Sequence, residues 1–199
     1  GTFTITPTPN FNGSVTLSYD VSDGQLSTAA TLSYMVDAVN DVPEALIPVS
    51  DQQAKEKQTF SYTLPDDAFI DKDLDALTYS ASLEGGAGLP SWLSFDAATQ
   101  TFSGTPSFDD AGTLLLTVTA SDGVLIASQS FALDITNINR APQPITSQPA
   151  FQAVEDTTIV LDVLAQVVDA DGDVLTIDPN SLSVTSGSVV LNANQTVTF

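Results

Sequence analysis

Apolar and polar positions alternate with a period of two along much of the chain. Val15, Leu17, Tyr19 and Val21 are each separated by a polar residue, and Leu114, Leu116, Val118 and Ala120 fall on one side of the same period. Leu32, Tyr34 and Val36 continue the pattern, as do Phe131, Leu133 and Ile135, and Ile159, Leu161 and Val163 begin a last such segment. Successive side chains of a strand point to opposite faces, so this spacing predicts half-buried β-strands. Thr, Ser and Val dominate these stretches, which suits a pleated surface. "SDG" at 22–24 and again at 121–123 stands between two alternating runs each time and predicts a hairpin turn. No long stretch carries a helical period; "DVLAQVVDA" (162–170) has room for one short turn.

The alternating segments recur. "VTLSYDVSDG" (15–24) aligns with "LLLTVTASDG" (114–123), a spacing of 99 residues, and no gap is needed from residue 3 to residue 43. The same spacing aligns "NDVP" (40–43) with "NRAP" (139–142) and Glu56 with Glu155, while "DKDLDALTYS" (71–80) aligns with "DADGDVLTID" (169–178) at 98. Residues 42–140 therefore read as one complete repeat, 1–41 as the back part of a preceding repeat, and 141–199 as the front part of a following one. A unit of this size is an independent bead, too large for a solenoid repeat. About seven short strands per repeat, separated by turn signals, predict tandem antiparallel Greek-key β-sandwiches of Ig-like type, one complete and two partial. The chain opens mid-pattern at "GTFTITP" and reads as a segment of something longer.

Charge narrows the function. The chain has 25 acidic and 4 basic residues, a net charge of −21. A chain this acidic lacks the basic patches that nucleic acid and anionic membranes require, so neither is expected as a partner. The bases are Lys55, Lys57, Lys72 and Arg140, so most carboxylates have no ion-pair partner within the chain. Lys55 and Lys57 read as solvated charges that protect a strand edge. Cys and His are both absent, which excludes thiol chemistry, zinc fingers and Ser-His-Asp or Cys-His nucleophiles. No apolar run approaches the roughly 18–20 residues of a membrane span. The carboxylates sit on repeated turns and linkers, where nothing raises a pKa, so no enzyme activity is expected.

Two acidic triplets stand out: Asp71, Asp73 and Asp75, and Asp169, Asp171 and Asp173. D-x-D-x-D opens an EF-hand loop, but Val174 and Asn180 occupy the sixth and twelfth positions of the second copy, where that loop needs Gly and Glu. Two readings stay open on spacing alone: solvated strand connections, or cation ligands. Asp23 and Asp122 are equally ordinary as hairpin residues, whose carboxylates bond their own backbone.

"GLPSWLSFDAATQTFSGTP" (88–106) resembles the dystroglycan-type cadherin-like repeat of large bacterial surface proteins. Trp92, Leu93, Phe95 and Phe102 would supply its core, while Gly104 and Pro106 shape the next bend. "EDTTIVLDVLAQVVDADGDVLTI" (155–177) is similar to the front of tandem cadherin-like repeats in giant RTX-type adhesins, and 1–24 to their back.

The resemblance implies Ca2+ at the junctions between beads. A first junction, around Pro43, would collect Asn40, Asp41, Asp71, Asp73 and Asp122. A second, around Pro142, would collect Glu56, Asp109, Asp110, Asn137, Asn139, Asp169 and Asp171. Asp173 matches no ligand of the motif and is left to orient its neighbours. Arg140 replaces the carboxylate of Asp41 in the second linker, and Asn10 and Asn12 replace the acidic corner in the first repeat, so one or two ions per junction are expected. The implied function is a calcium-stiffened extender in a secreted bacterial cell-surface adhesin or filament, serving attachment or biofilm cohesion. The alternative is a carbohydrate- or peptide-binding module acting through the Gly-rich "LEGGAGLP" (83–90). The expected partners are neighbouring repeats, head to tail, within a longer chain or between chains, and cell-surface or matrix carbohydrate or protein.

Overall fold

The computed structural model describes residues 4–145 and 151–199. The chain divides into two units, 1–137 and 138–199.

The first unit begins with a long hairpin, β1 (Gly13–Ser22) and β2 (Ser27–Val36). Nine strands follow: β3 (Glu44–Ala45), β4 (Gln52–Lys55), β5 (Phe60–Thr63), β6 (Phe69–Ile70), β7 (Thr78–Leu83), β8 (Leu93–Asp96), β9 (Thr101–Gly104), β10 (Gly112–Ser121) and β11 (Ile126–Thr136). Nine rather than seven arise because two of them, β3 and β6, are two-residue pairings that fasten the linker end of the bead. One sheet runs β4-β11-β10-β7 and the other β5-β9-β8. All pairs are antiparallel except β4 on β11, where Gln52 lies beside Leu133 and Lys55 beside Thr136.

The two sheets close on one core. Leu116, Val118 and Ala120 of β10 are fully buried, and so are Leu133 of β11 and Phe102 of β9. Each buried aliphatic side chain of this size contributes roughly 1.5–3 kcal/mol. Phe102 meets Phe131 across the sandwich at 5.6 Å between ring centroids, and Tyr62 meets the same ring at 5.8 Å. The outer face of the pair is polar, where Thr117 and Ser130 hydroxyls lie 2.9 Å apart and those of Thr119 and Ser128 2.8 Å apart. Gly104 is required by packing, because a Cβ there would lie 2.0 Å from the Trp92 carbonyl oxygen.

Both "SDG" turns form as the spacing predicts, and they match bond for bond. Asp122 Oδ1 accepts the N–H groups of Val124 and Leu125 at 2.7 Å each, and Asp23 Oδ1 those of Gln25 and Leu26 at 2.8 Å each. The next residue is Gly in both, at φ 93° and 100°, where a side chain would be strained. The hairpins differ in burial: Phe131 and Leu133 are buried, whereas Tyr19 and Leu32, on the same phase of β1 and β2, are 40% and 55% exposed.

The second unit holds β12 (Gln143–Pro144), β13 (Val160–Leu161), β14 (Val167–Val168), β15 (Val190–Leu191) and β16 (Val197–Thr198). The predicted short turn is a 3₁₀ helix, Leu164–Gln166, and a second one spans Pro179–Ser181. The strand expected from Ile159 onward is only two residues long, paired antiparallel with β16.

Two details depart from expectation. Lys57 is in a turn at φ 59°, not on a strand edge, and its ammonium lies 4.7 Å from the centre of the Phe108 ring. Residues 83–90 form a closed turn rather than an adaptable loop: Leu83 N–H donates to Ala87 O, Gly86 N–H to Leu83 O, and Glu84 N–H to Leu115 O of β10.

Candidate metal centre

Strand β6 ends at Ile70, and the chain turns sharply through Asp71–Asp75. Asp71 Oδ1 accepts the N–H of Asp73 at 2.8 Å and that of Asp75 at 3.2 Å, while Leu74 N–H donates to Asp71 O at 3.3 Å. Leu74 takes φ 65°, a left-handed conformation that is uncommon for a leucine, and its side chain is 89% exposed. Packing therefore does not place Leu74; the turn around Asp71 does.

The turn gathers charge. One carboxylate oxygen from each of Asp71, Asp73 and Asp75 lies within 4.8 Å of the others. Two oxygens bound to one Ca2+ at 2.3–2.6 Å are at most about 4.6–5.2 Å apart, so this spacing fits a shared hard cation. Asp71 is 8% exposed, and its Oδ2 is buried with no hydrogen-bond partner. A buried carboxylate oxygen without a donor costs free energy unless something positive satisfies it. Among the described residues the triplet has no basic partner; Lys72, inside the turn, pairs with Glu44 at 3.2 Å instead. Like charges at this range repel by about 1 kcal/mol per pair even in water, and more where water is excluded. The donor set is all oxygen, as Ca2+ prefers.

Asp71 and Asp73 are among the ligands that the resemblance implies, whereas Asp75 is not. The structure brings it in, because Asp71 bonds the N–H groups two and four residues on and folds all three carboxylates to one side.

The linker reaches the same place. Asp41 N–H donates to Asp73 Oδ2 at 2.6 Å, and Asn40 Nδ2 to Asp122 Oδ2 at 2.9 Å. Of the five residues expected at the first junction, Asn40 is thus bonded to Asp122, and Asp41 and Asp71 are each bonded to Asp73. An open cavity of about 210 Å³ adjoins Asp41 and Asp73, lined also by Asn10, Asn12 and Asp37 among others. Asn10 and Asn12, read in the sequence as a missing acidic corner, face this cavity, and amide oxygens are also calcium ligands. Both oxygens of Asp122 already hold donors. The N–H of Leu125, then that of Val124, then the Asn40 amide hold its carboxyl below the usual range.

The residues expected at the second junction are divided between the units. In the first, Glu56 is fully buried, Asp110 Oδ2 accepts the N–H and hydroxyl of Ser107, Asp109 N–H donates to Ser107 Oγ, and Asn137 is exposed just after β11. In the second, Asn139 is exposed, Asp169 Oδ1 accepts Asp171 N–H at 2.8 Å and Asp173 N–H at 3.2 Å, and Asp171 is held by Arg140.

Residues 42–136 match a family described as "Putative Ig domain", and residues 1–37 and 138–199 match "Cadherin-like domain". The chain has a cadherin-like fold. Domains of these kinds are typically extracellular. Axial budding pattern protein 2 of Saccharomyces cerevisiae is 30% identical over 168 residues, 79% of this chain and 19% of that protein, so the chain spans about a fifth of this curated relative. Among solved structures, Drosophila N-cadherin EC1-3 is 11% identical over 65% of this chain and 44% of its own, with a TM-score of 0.38. An endo-fucoidan hydrolase of glycoside hydrolase family 107 is 25% identical over 66% of this chain and 20% of its own, with a TM-score of 0.40. No helix among the described residues is long and apolar enough to cross a membrane.

Proposed function

We propose that this chain is part of a long extracellular adhesin, in the manner of bacterial RTX-type adhesins, whose cadherin-like beads are stiffened by calcium. The observation that carries this reading is the Asp71 carboxylate, buried with one oxygen unsatisfied beside Asp73 and Asp75. Bound there, Ca2+ would neutralise three carboxylates that otherwise repel. Asp73 transmits the effect, because it also holds the N–H of linker residue Asp41. Ordering the turn therefore orders residues 37–43 between β2 and β3. Affinity would be on the order of 10⁻⁴–10⁻³ M, the range of extracellular modules.

The exposed face of the β1–β2 hairpin supports head-to-tail neighbours. Leu17 and Leu32 face each other across its strands, as Leu116 and Phe131 do in β10–β11, yet Leu32 is 55% exposed. In this reading the front strands of another repeat cover that face, in a longer polypeptide or from another chain.

The test is thermal unfolding and small-angle scattering of the chain in millimolar CaCl2 and in EGTA. Calcium should raise the Tm and lengthen the particle; identical curves at 5–10 times the highest expected Kd would sink the calcium role.

A further inference from the structure

The two acidic turns share one backbone. Asp169 repeats the hydrogen bonds of Asp71 to the residues two and four on, at the same 2.8 and 3.2 Å. Gly172 takes φ 78° where Leu74 takes φ 65°. β12 pairs with β14 as β3 pairs with β6, and Ile145 N–H reaches Gln166 O as Leu46 N–H reaches Ala68 O. The linker bond recurs as well: Arg140 N–H donates to Asp171 Oδ2 at 2.5 Å, as Asp41 N–H does to Asp73 Oδ2 at 2.6 Å. Residue 140 thus stands where residue 41 stands, and Asp171 where Asp73 stands.

The side chain at that linker position is the difference. Arg140 turns its guanidinium back onto the turn, with Nε donating to Asp171 Oδ1 at 2.9 Å, Nη2 at 2.9 Å from the same oxygen, and Nη2 donating to Ala170 O at 2.8 Å. The Asp171 side chain is 4% exposed beneath it. Both Asp171 oxygens hold donors from Arg140. Among the described residues, only the Asp71 triplet gathers three carboxylates within 4.8 Å.

We propose that Arg140 is a built-in cation that replaces calcium at the second turn, so that residues 169–173 are held closed at any calcium level and only residues 71–75 respond to it. A guanidinium is always charged, and its planar fork suits a carboxylate. An incoming Ca2+ at Asp171 would have to displace that fork or sit beside a like charge. The chain then carries one calcium-sensitive turn and one calcium-independent turn.

This inference rests on the calcium reading of Asp71, and the test separates the two. Calorimetric titration with CaCl2 would compare the full chain with Asp71→Asn, Asp169→Asn, Arg140→Asp and Arg140→Asp/Asp169→Asn. Asp71→Asn should weaken binding at least tenfold and Asp169→Asn should leave it unchanged. Arg140→Asp, which installs the residue found at position 41, should add a second binding event that Asp169→Asn removes. If Asp169→Asn weakens the wild-type chain as Asp71→Asn does, the proposal for Arg140 is wrong and the calcium reading stands. If the chain takes up no calcium, or Asp71→Asn changes nothing, the calcium reading itself fails. Should Arg140→Asp not fold, the two asparagine variants in the wild-type background still decide, and Arg140→Gln adds a check: its Tm in EGTA should fall and regain part of the loss in CaCl2.

Discussion

The backbone N–H of Asp41 donates to Asp73 Oδ2 at 2.6 Å, joining the linker after β2 to the acidic turn after β6. Asp73 therefore has two separable roles, as acceptor for the linker and as one charge of a triplet. Asp73→Asn keeps an acceptor and removes the charge. Its stability in EGTA should not fall below wild type, because the relieved repulsion of about 1 kcal/mol per pair offsets the weaker linker bond, while the calcium-induced rise in Tm is lost. Asp73→Ala removes both, and should also lose roughly 1–2 kcal/mol in EGTA for the missing charge-assisted bond. Denaturant melts with and without calcium distinguish the pair.

Acid should loosen both hairpins. The N–H groups of Leu125 and Val124, with the Asn40 amide, hold the Asp122 carboxyl below its usual range, and Leu26 and Gln25 do the same for Asp23. A carboxyl with a lower pKa in the folded state adds stability above its unfolded value, near 4, and that stability is lost as the pH falls through the folded value. Stability from these groups should be level from neutral pH to about 5 and fall below about 4. Asp122→Asn, which cannot titrate, should narrow the Tm difference between pH 3 and pH 7; an unchanged difference would refute the assignment.

Gly104 carries no special φ, yet its Cα faces the Trp92 carbonyl so closely that a Cβ would sit 2.0 Å from the oxygen. Neither backbone can give way without opening the β8–β9 pair. Gly104→Ala should destabilise the bead by about 3 kcal/mol or more, at the upper end for overpacking, as read from urea unfolding. A loss under 1 kcal/mol would show that the strands separate easily.

The apolar face of β1–β2 should make the chain self-associate. Sedimentation velocity should show weight-average mass rising with concentration, and Leu32→Lys, on the exposed face, should reduce it. A single concentration-independent monomer would leave that face without the neighbour proposed for it.

Much of the architecture was legible from local pattern. Period two placed the long strands because side-chain alternation is a property of the strand itself. "SDG" announced both hairpins because the aspartate and glycine act on their own backbone. The spacing of 99 residues was legible because a duplicated bead repeats its turns. The parallel pairing of β4 with β11 was not, since it depends on where a strand docks after crossing the sandwich.

The acidic site divides in the same way. Residue order alone reveals which carboxylates recur, and that a linker runs beside them. It did not show that Asp75 joins Asp71 and Asp73, because this follows from the left-handed turn at Leu74. Arg140 read only as a carboxylate lost. Whether a long cationic side chain points to solvent or folds back is decided by the surfaces around it, and here the tertiary structure set its guanidinium against Asp171. Residue types and spacings are local and survive in one dimension, whereas charge pairing depends on distance in space.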